Sequence, residues 1–130
     1  MRDRFVTDTM ALVLRLERRK MGGRAKPIFE QIERGEIDLV VPVMVLAEIG
    51  YLSEKNRIET SLLEFRQYRK NYPSIQIESA TEAVIYKTFE IKDIPELHDR
   101  IIAATAFLHD LVLITNDPMM QESEFVSTIW

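Results

Sequence analysis

Two stretches of the chain are apolar at consecutive positions and rich in β-branched residues: IDLVVP at 37–42 and LVLIT at 111–115. Successive side chains of a strand point to opposite faces, so a strand without polar alternation must be covered on both sides. That requirement argues against a half-exposed antiparallel sheet and favours a parallel sheet buried under helices on each face. The intervening segments have the matching pattern, apolar residues three or four apart between turn signals.

Read in order, RFVTD (4–8) is a short β-prone run leading into a helical segment over 9–20, with Met10, Val13, Leu14 and Leu16 at helical spacing. Gly22 and Gly23 break it, and a second helix over 25–36 places Ile28, Phe29 and Ile32 on one side, with Gly35 as its stop. After the strand at 37–42, helices are expected over 43–55 and 59–72, the latter closed by Pro73. A brief strand at 75–77, helices over 80–91 and 98–110, the strand at 111–115 and an edge strand within FVSTIW (125–130) complete the chain. Strands separated by helical segments predict an α/β sandwich with a central parallel sheet, in one domain spanning 1–130.

A chain of 130 residues that is 46% hydrophobic can bury one real core. Its longest uncharged apolar run, Leu39 to Ala47, is too short to span a bilayer, so a soluble protein of the cytoplasm is expected. The absence of cysteine excludes disulfides, zinc ribbons and a thiol nucleophile. With 17 basic and 21 acidic residues the net charge is −4, so any nucleic-acid site must be local. One basic stretch stands out, RLERRKMGGRAK, where Arg15, Arg18, Arg19, Lys20, Arg24 and Lys26 face the single acid Glu17; a solvated helix end and loop is its plainest reading. Arg66, Arg69 and Lys70 read as a solvated helix face, and His98 and His109 as helix-end residues.

Ligands of open α/β sheets bind outside the carboxyl ends of the strands. Asp8 ends the first strand, and Asp117 follows LVLIT by two residues. Asp99 opens the helix DRIIAATAFLH, and Glu48 sits among Met44, Val45, Tyr51 and Leu52 on a face expected to be largely buried. Each has an ordinary explanation: a helix cap for Asp8 and Asp99, an Asx turn before Pro118 for Asp117, a salt bridge to Lys55 or Arg100 for Glu48. Four carboxylates converging on one crevice would instead repel one another and call for cations. All-oxygen ligands suit Mg²⁺ or Mn²⁺ rather than zinc, and a site that leaves room for phosphate oxygens suits phosphodiester hydrolysis.

These segments, in this order, resemble the PIN domain, and within it the VapC-like ribonuclease toxins of type II toxin–antitoxin pairs. FVTDT is similar to the family's opening strand with its first acid, GEIDLVVPVMVLAEI to its second strand and glutamate helix, LHDRIIAATA to its third-acid helix, and VLITND to the strand and Ser/Thr-x-Asp turn bearing the fourth. The resemblance covers essentially the whole chain. It implies a PIN-like three-layer sandwich and metal-ligand or catalytic roles for Asp8, Glu48, Asp99 and Asp117, with Thr115 orienting the site by hydrogen bonding. It further implies RNA as substrate, Mg²⁺ or Mn²⁺ as cofactor, a homodimer and a cognate antitoxin covering the groove. Phosphate contacts from Arg15, Arg18, Arg19, Arg24 and Lys26 bordering that groove are expected on the same basis. Met10 stands where a small polar residue is frequent in the family, and Asn116 where arginine is common.

Other functions fit less well. A haloacid-dehalogenase-type phosphoryl-transfer site needs a second acid two residues after the first, where this chain has Met10, and the acid and lysine set of a phosphate-accepting receiver domain cannot be placed. A non-catalytic PIN-like binding module is the alternative from a different class, and metal binding separates it from a nuclease. A housekeeping RNA-processing nuclease is the alternative within the same chemistry.

Overall fold

The computed structural model describes residues 2–130, and Met1 lies outside the described residues. The elements run β1 (Arg4–Thr7), α1 (Thr9–Leu16), α2 (Ala25–Glu33), β2 (Asp38–Pro42), α3 (Val43–Glu54), α4 (Leu62–Asn71), β3 (Ile75–Glu78), α5 (Glu82–Thr88), α6 (Leu97–His109), β4 (Val112–Ile114), α7 (Pro118–Gln121) and β5 (Thr128–Ile129). The five strands form one sheet in the order β3-β2-β1-β4-β5, and each neighbouring pair is parallel. Leu39, Val40 and Val41 are consecutive on β2 and none is more than 1% exposed. Both faces of that strand are therefore covered, as its unbroken apolar run requires.

The strand order decides where a site can form. From β1 the chain steps outward to β2 and β3, then returns past them to place β4 on the other side of β1. The reversal opens a crevice at the carboxyl ends of β1 and β4, where connections leave in opposite directions. Around it α1 packs against α3, α3 against α6, and α6 against β1 and β4.

Several elements differ from the sequence expectation. α1 ends at Leu16 rather than 20. Its C-cap Glu17 is held by the segment before α4, its carboxylate accepting from the backbone N–H groups of Glu59 and Thr60 and from the Thr60 hydroxyl, and Arg18 takes a left-handed φ of 53°. α5 stops at Thr88, whose hydroxyl donates to the Val84 carbonyl, and the edge strand is only the pair Thr128–Ile129. α7 falls in a segment expected to be a turn, because Pro118 is pre-set for a first helical position and Asp117 caps it. Gly22 does more than break a helix: a Cβ there would collide with the backbone carbonyl carbon and indole of Trp130.

Candidate metal centre

β1 and β4 pair with Thr7 opposite Ile114, so the next residues, Asp8 and Thr115, leave the sheet side by side. The Asp8 N–H donates to the Ile114 carbonyl at 3.2 Å. Its side chain is almost fully buried, 5% exposed for the residue. Oδ1 accepts from the Ala11 N–H at 2.8 Å and caps α1, while Oδ2 accepts from the Thr115 hydroxyl at 2.5 Å. Thr115 Oγ1 also accepts from the Asp117 N–H at 3.0 Å. One buried hydroxyl thus ties the β1 exit to the β4 exit. Asp117 caps α7, its Oδ1 accepting from the Met119 N–H at 2.8 Å.

The two helix-borne acids arrive from either side. Glu48, half-buried on α3, accepts at Oε1 from the Thr9 hydroxyl at 2.6 Å, and its Oε2 lies 3.7 Å from His98 Nδ1. Lys55 instead lies over the Tyr51 ring, and Arg100 donates to the Ile94 carbonyl. Glu48's face is the wall of a cleft rather than buried, because Val45 and Ile49, adjacent on the helix, take the core positions. Asp99 lies in the first turn of α6 but does not cap it. Glu96 is the cap residue, accepting from the His98 N–H at 3.0 Å, which leaves the Asp99 carboxylate free of that duty.

Asp8, Glu48, Asp99 and Asp117 line one cleft of about 390 Å³, together with Thr9, Met10, Leu52, Asn116 and Pro118. No lysine or arginine is among these lining residues. The electrostatic result is visible in three acids. Burial raises the Asp8 carboxyl to about 6, against the lowering effect of its Thr115 and Ala11 hydrogen bonds, with Asp117 and Glu48 adding repulsion. Burial and then the charges of Glu96, Asp117 and Glu48 push Asp99 up to about 7, with a hydrogen bond to Asp117 in the same direction. Burial also raises Glu48, opposed by the Thr9 hydroxyl and by His98. A hard divalent cation fits this donor set: carboxylate oxygens only, mutually repelling, with no lining cation to neutralise them.

Two further residues at the site, Thr9 and Glu96, were not singled out from the sequence, and His98, read there as a helix-end residue, joins them. Thr9 holds Glu48, and its place directly after the first acid was the available signal. Glu96 and His98, in the same ELHD stretch as Asp99, come together with Glu48 so that one ligating atom of each lies within 4.8 Å of the others. His98 Nδ1 is 3.0 Å from Glu96 Oε1.

The basic stretch lies elsewhere, and none of its residues lines the carboxylate cleft. Arg15 forms a bidentate pair with Glu33 of α2 at 2.8 and 2.6 Å, and the Tyr68 hydroxyl donates to the same carboxylate. Arg19 lies 3.4 Å from Glu17, and the Arg24 backbone N–H donates to the Trp130 carbonyl. α1 is the reason for the separation. Asp8 caps one end of it and Arg15 lies in the last turn at the other, roughly 10 Å apart along the axis. Met10 and Asn116, by contrast, both reach the cleft.

A model of the PIN domain matches residues 5–125. Among solved structures, a chain of VapBC2 from Rickettsia felis bound to a DNA fragment from their promoter is similar over 98% of this chain and 98% of that one, at 15% identity and a TM-score of 0.73. A chain of DNA-bound VapBC from Salmonella typhimurium is similar over 99% and 98%, at 15% identity and a TM-score of 0.72. A chain of FitAcB from Neisseria gonorrhoeae is similar over 97% and 96%, at 18% identity and a TM-score of 0.67. A search of curated proteins gave no match. The family match spans β1 through the segment after α7, and with it every acid of the cleft: the chain belongs to the PIN-domain family.

Proposed function

We propose that this protein is a divalent-metal-dependent endoribonuclease acting as the toxin of a toxin–antitoxin pair. The observation that carries the chemistry is the convergence of Asp8, Glu48, Asp99 and Asp117 on one cleft with no cation of its own. Mg²⁺ or Mn²⁺ bound there would supply Lewis-acid stabilisation of the charge developing on a phosphoryl group and would acidify water. Asp8 is the fixed member, both oxygens committed to hydrogen bonds that hold it in place. Asp99 and Asp8, raised to about 7 and about 6, are the members whose charge a metal would stabilise most. Thr9 and Thr115 act as positioning residues, orienting Glu48 and Asp8.

The toxin assignment is supported by family membership and by likeness to chains of VapBC and FitAcB structures and of a toxin–antitoxin complex from Klebsiella pneumoniae. It implies an antitoxin as partner and a homodimer as the working form. The test incubates the wild type and Asp99→Asn with single-stranded RNA in Mn²⁺, in Mg²⁺ and in EDTA. Wild-type cleavage that needs the metal and is lost in the variant is the expected result. Saturable Mn²⁺ binding without cleavage of any RNA would move the assignment to the binding module. Growth arrest on expression, relieved by a co-expressed partner, separates a toxin from a processing nuclease.

A further inference from the structure

The carboxylate cleft poses a problem for its own substrate, because an RNA strand brings a phosphate per nucleotide and the cleft walls carry no lysine or arginine. The phosphate contacts of that reading must therefore lie elsewhere on the surface. A second cleft, of about 480 Å³, is lined by Arg15, Arg18, Arg19, Lys20, Met21, Lys26 and Glu30. Five of its residues are cationic and one is acidic, in a chain whose net charge is −4. Arg15 is taken up by Glu33, and Arg19 lies near Glu17. Arg18, Lys20 and Lys26 are exposed and make no ion pair among the described residues.

The two clefts are joined by one face of α1. Met10 lines the carboxylate cleft and is 42% exposed, Leu14 one turn on is half-exposed, and Arg18 just past the helix lines the basic cleft. Residues four apart share a helix face, so Met10 and Leu14 form one stripe of α1 that leads from the carboxylate cleft toward the helix end, beyond which Arg18 follows. Arg18 also holds a left-handed backbone, φ 53°, at a helix end where glycine is the least strained choice. What arginine adds at that position is its charge.

We propose that Arg18, Lys20 and Lys26 form a phosphate-binding exosite for single-stranded RNA, and that the bound strand runs along the Met10–Leu14 face of α1 into the carboxylate cleft. This rests on the ribonuclease reading and supplies what that cleft lacks. The exosite reads the backbone rather than the bases, since five of its seven lining residues are cationic and none is aromatic.

The test measures binding of a fluorescein-labelled oligouridylate of about 12 nucleotides by anisotropy, in EDTA so that no cleavage intervenes, across a potassium chloride series. Three proteins are compared: the wild type, Arg18→Glu/Lys20→Glu/Lys26→Glu, and Arg66→Glu/Arg69→Glu/Lys70→Glu, which changes net charge equally on the exposed face of α4. Exosite reversal is expected to weaken binding at low salt about tenfold or more and to flatten the plot of log K against log salt by about 2, at about 0.7 per lost phosphate contact on a single strand. The α4 variant should keep the wild-type slope. An exosite variant with unchanged affinity and slope, or equal losses in both variants, would overturn the proposal. So would an oligoglutamate peptide that binds the wild type through these three residues while RNA binding ignores them, because the cleft would then serve an acidic protein partner. Wild-type RNA binding with the expected slope but no cleavage in Mn²⁺ would overturn the nuclease reading and leave the exosite standing.

Discussion

Replacing Asp99 with asparagine should make the metal-free protein more stable at neutral pH. The carboxyl is raised from 3.8 to about 7 by burial and by the charges of Glu96, Asp117 and Glu48. At about 1.4 kcal/mol per pH unit between folded and unfolded values, the full cost of ionising it in the fold approaches about 4 kcal/mol. Asp99 is only half buried, and solvent screening reduces this to about 1–2 kcal/mol. Asparagine keeps the shape and removes the charge. For a chain of this size the gain corresponds to a Tm rise of roughly 5 °C.

The pH dependence identifies the cause. Because the folded value lies above the unfolded one, the folded state binds more protons between them, and its stability falls as pH rises through that interval. The variant's advantage should be full at pH 7.5 and should shrink steadily toward pH 4, where the wild-type carboxyl is largely neutral in both states. Thermal unfolding in EDTA at pH 4, 5.5 and 7.5 reads this directly. Adding Mn²⁺ at pH 7.5 should then reverse the ranking, since a ligand that binds only the folded wild type raises its Tm; at one hundred times its Kd the gain is about 2.7 kcal/mol. A variant less stable than the wild type in EDTA at pH 7.5 would refute the reasoning, because the Asp99 carboxylate would then be a structural group rather than a strained one.

Thr115→Val should destabilise by about 1–3 kcal/mol, because it strips a buried Asp8 carboxylate and the Asp117 N–H of their shared partner. The Thr115 bond lowers the Asp8 value, so its loss raises that value above about 6, and the urea-denaturation penalty should be largest above pH 6 and fade toward pH 4. Gly22→Ala should lose about 1–3 kcal/mol by forcing Trp130 to move, whereas Gly23→Ala, with nothing within 4 Å of its Cβ, should leave the unfolding midpoint in place. Glu33→Gln should lower Tm clearly by leaving Arg15 partly unpaired beneath Tyr68, while Glu36→Gln, which breaks only an exposed pair with Arg34, should not move it.

The parts of this fold legible in the sequence were those under the strictest covering requirement. β2 could be read because its consecutive residues are buried on both faces, and α6 because its small apolar residues, Ala103 to Ala106 with Thr105, pack into the interior. α7 and β5 were harder, since four and two residues carry no period to detect. The acids divide in the same way. Asp8 and Asp117 were placed at strand exits by topology, and both do act as helix caps there. For Asp99 the capping explanation fails on a local detail, since Glu96 three residues earlier takes the cap. The resemblance that put the basic stretch beside the groove knows that its residues follow β1 but not that α1 carries them past the crevice and that the chain turns at Arg18, so none of them lines the carboxylate cleft.

Cap and ligand roles need not compete. Asp8 uses Oδ1 to start α1 and Oδ2 to meet Thr115, so the group that fixes the helix also fixes the carboxylate floor of the cleft. Asp117 does the same for α7 through Met119. The hydrogen bonds that hold Asp8 lower the cost of its charge, whereas Asp99, raised to about 7, has no cap bond, and its hydrogen bond to Asp117 favours the protonated form. A cleft built this way has capping acids at the strand exits and, on the helices packed beside them, Glu48 held by Thr9 and Asp99 without a cap bond. The charges of Asp8 and Asp99, raised to about 6 and about 7, set the metal dependence, because their repulsion is what a divalent ion relieves. The capping acids set geometry, so mutating Asp8 should damage folding and metal binding together, while mutating Asp99 should separate them.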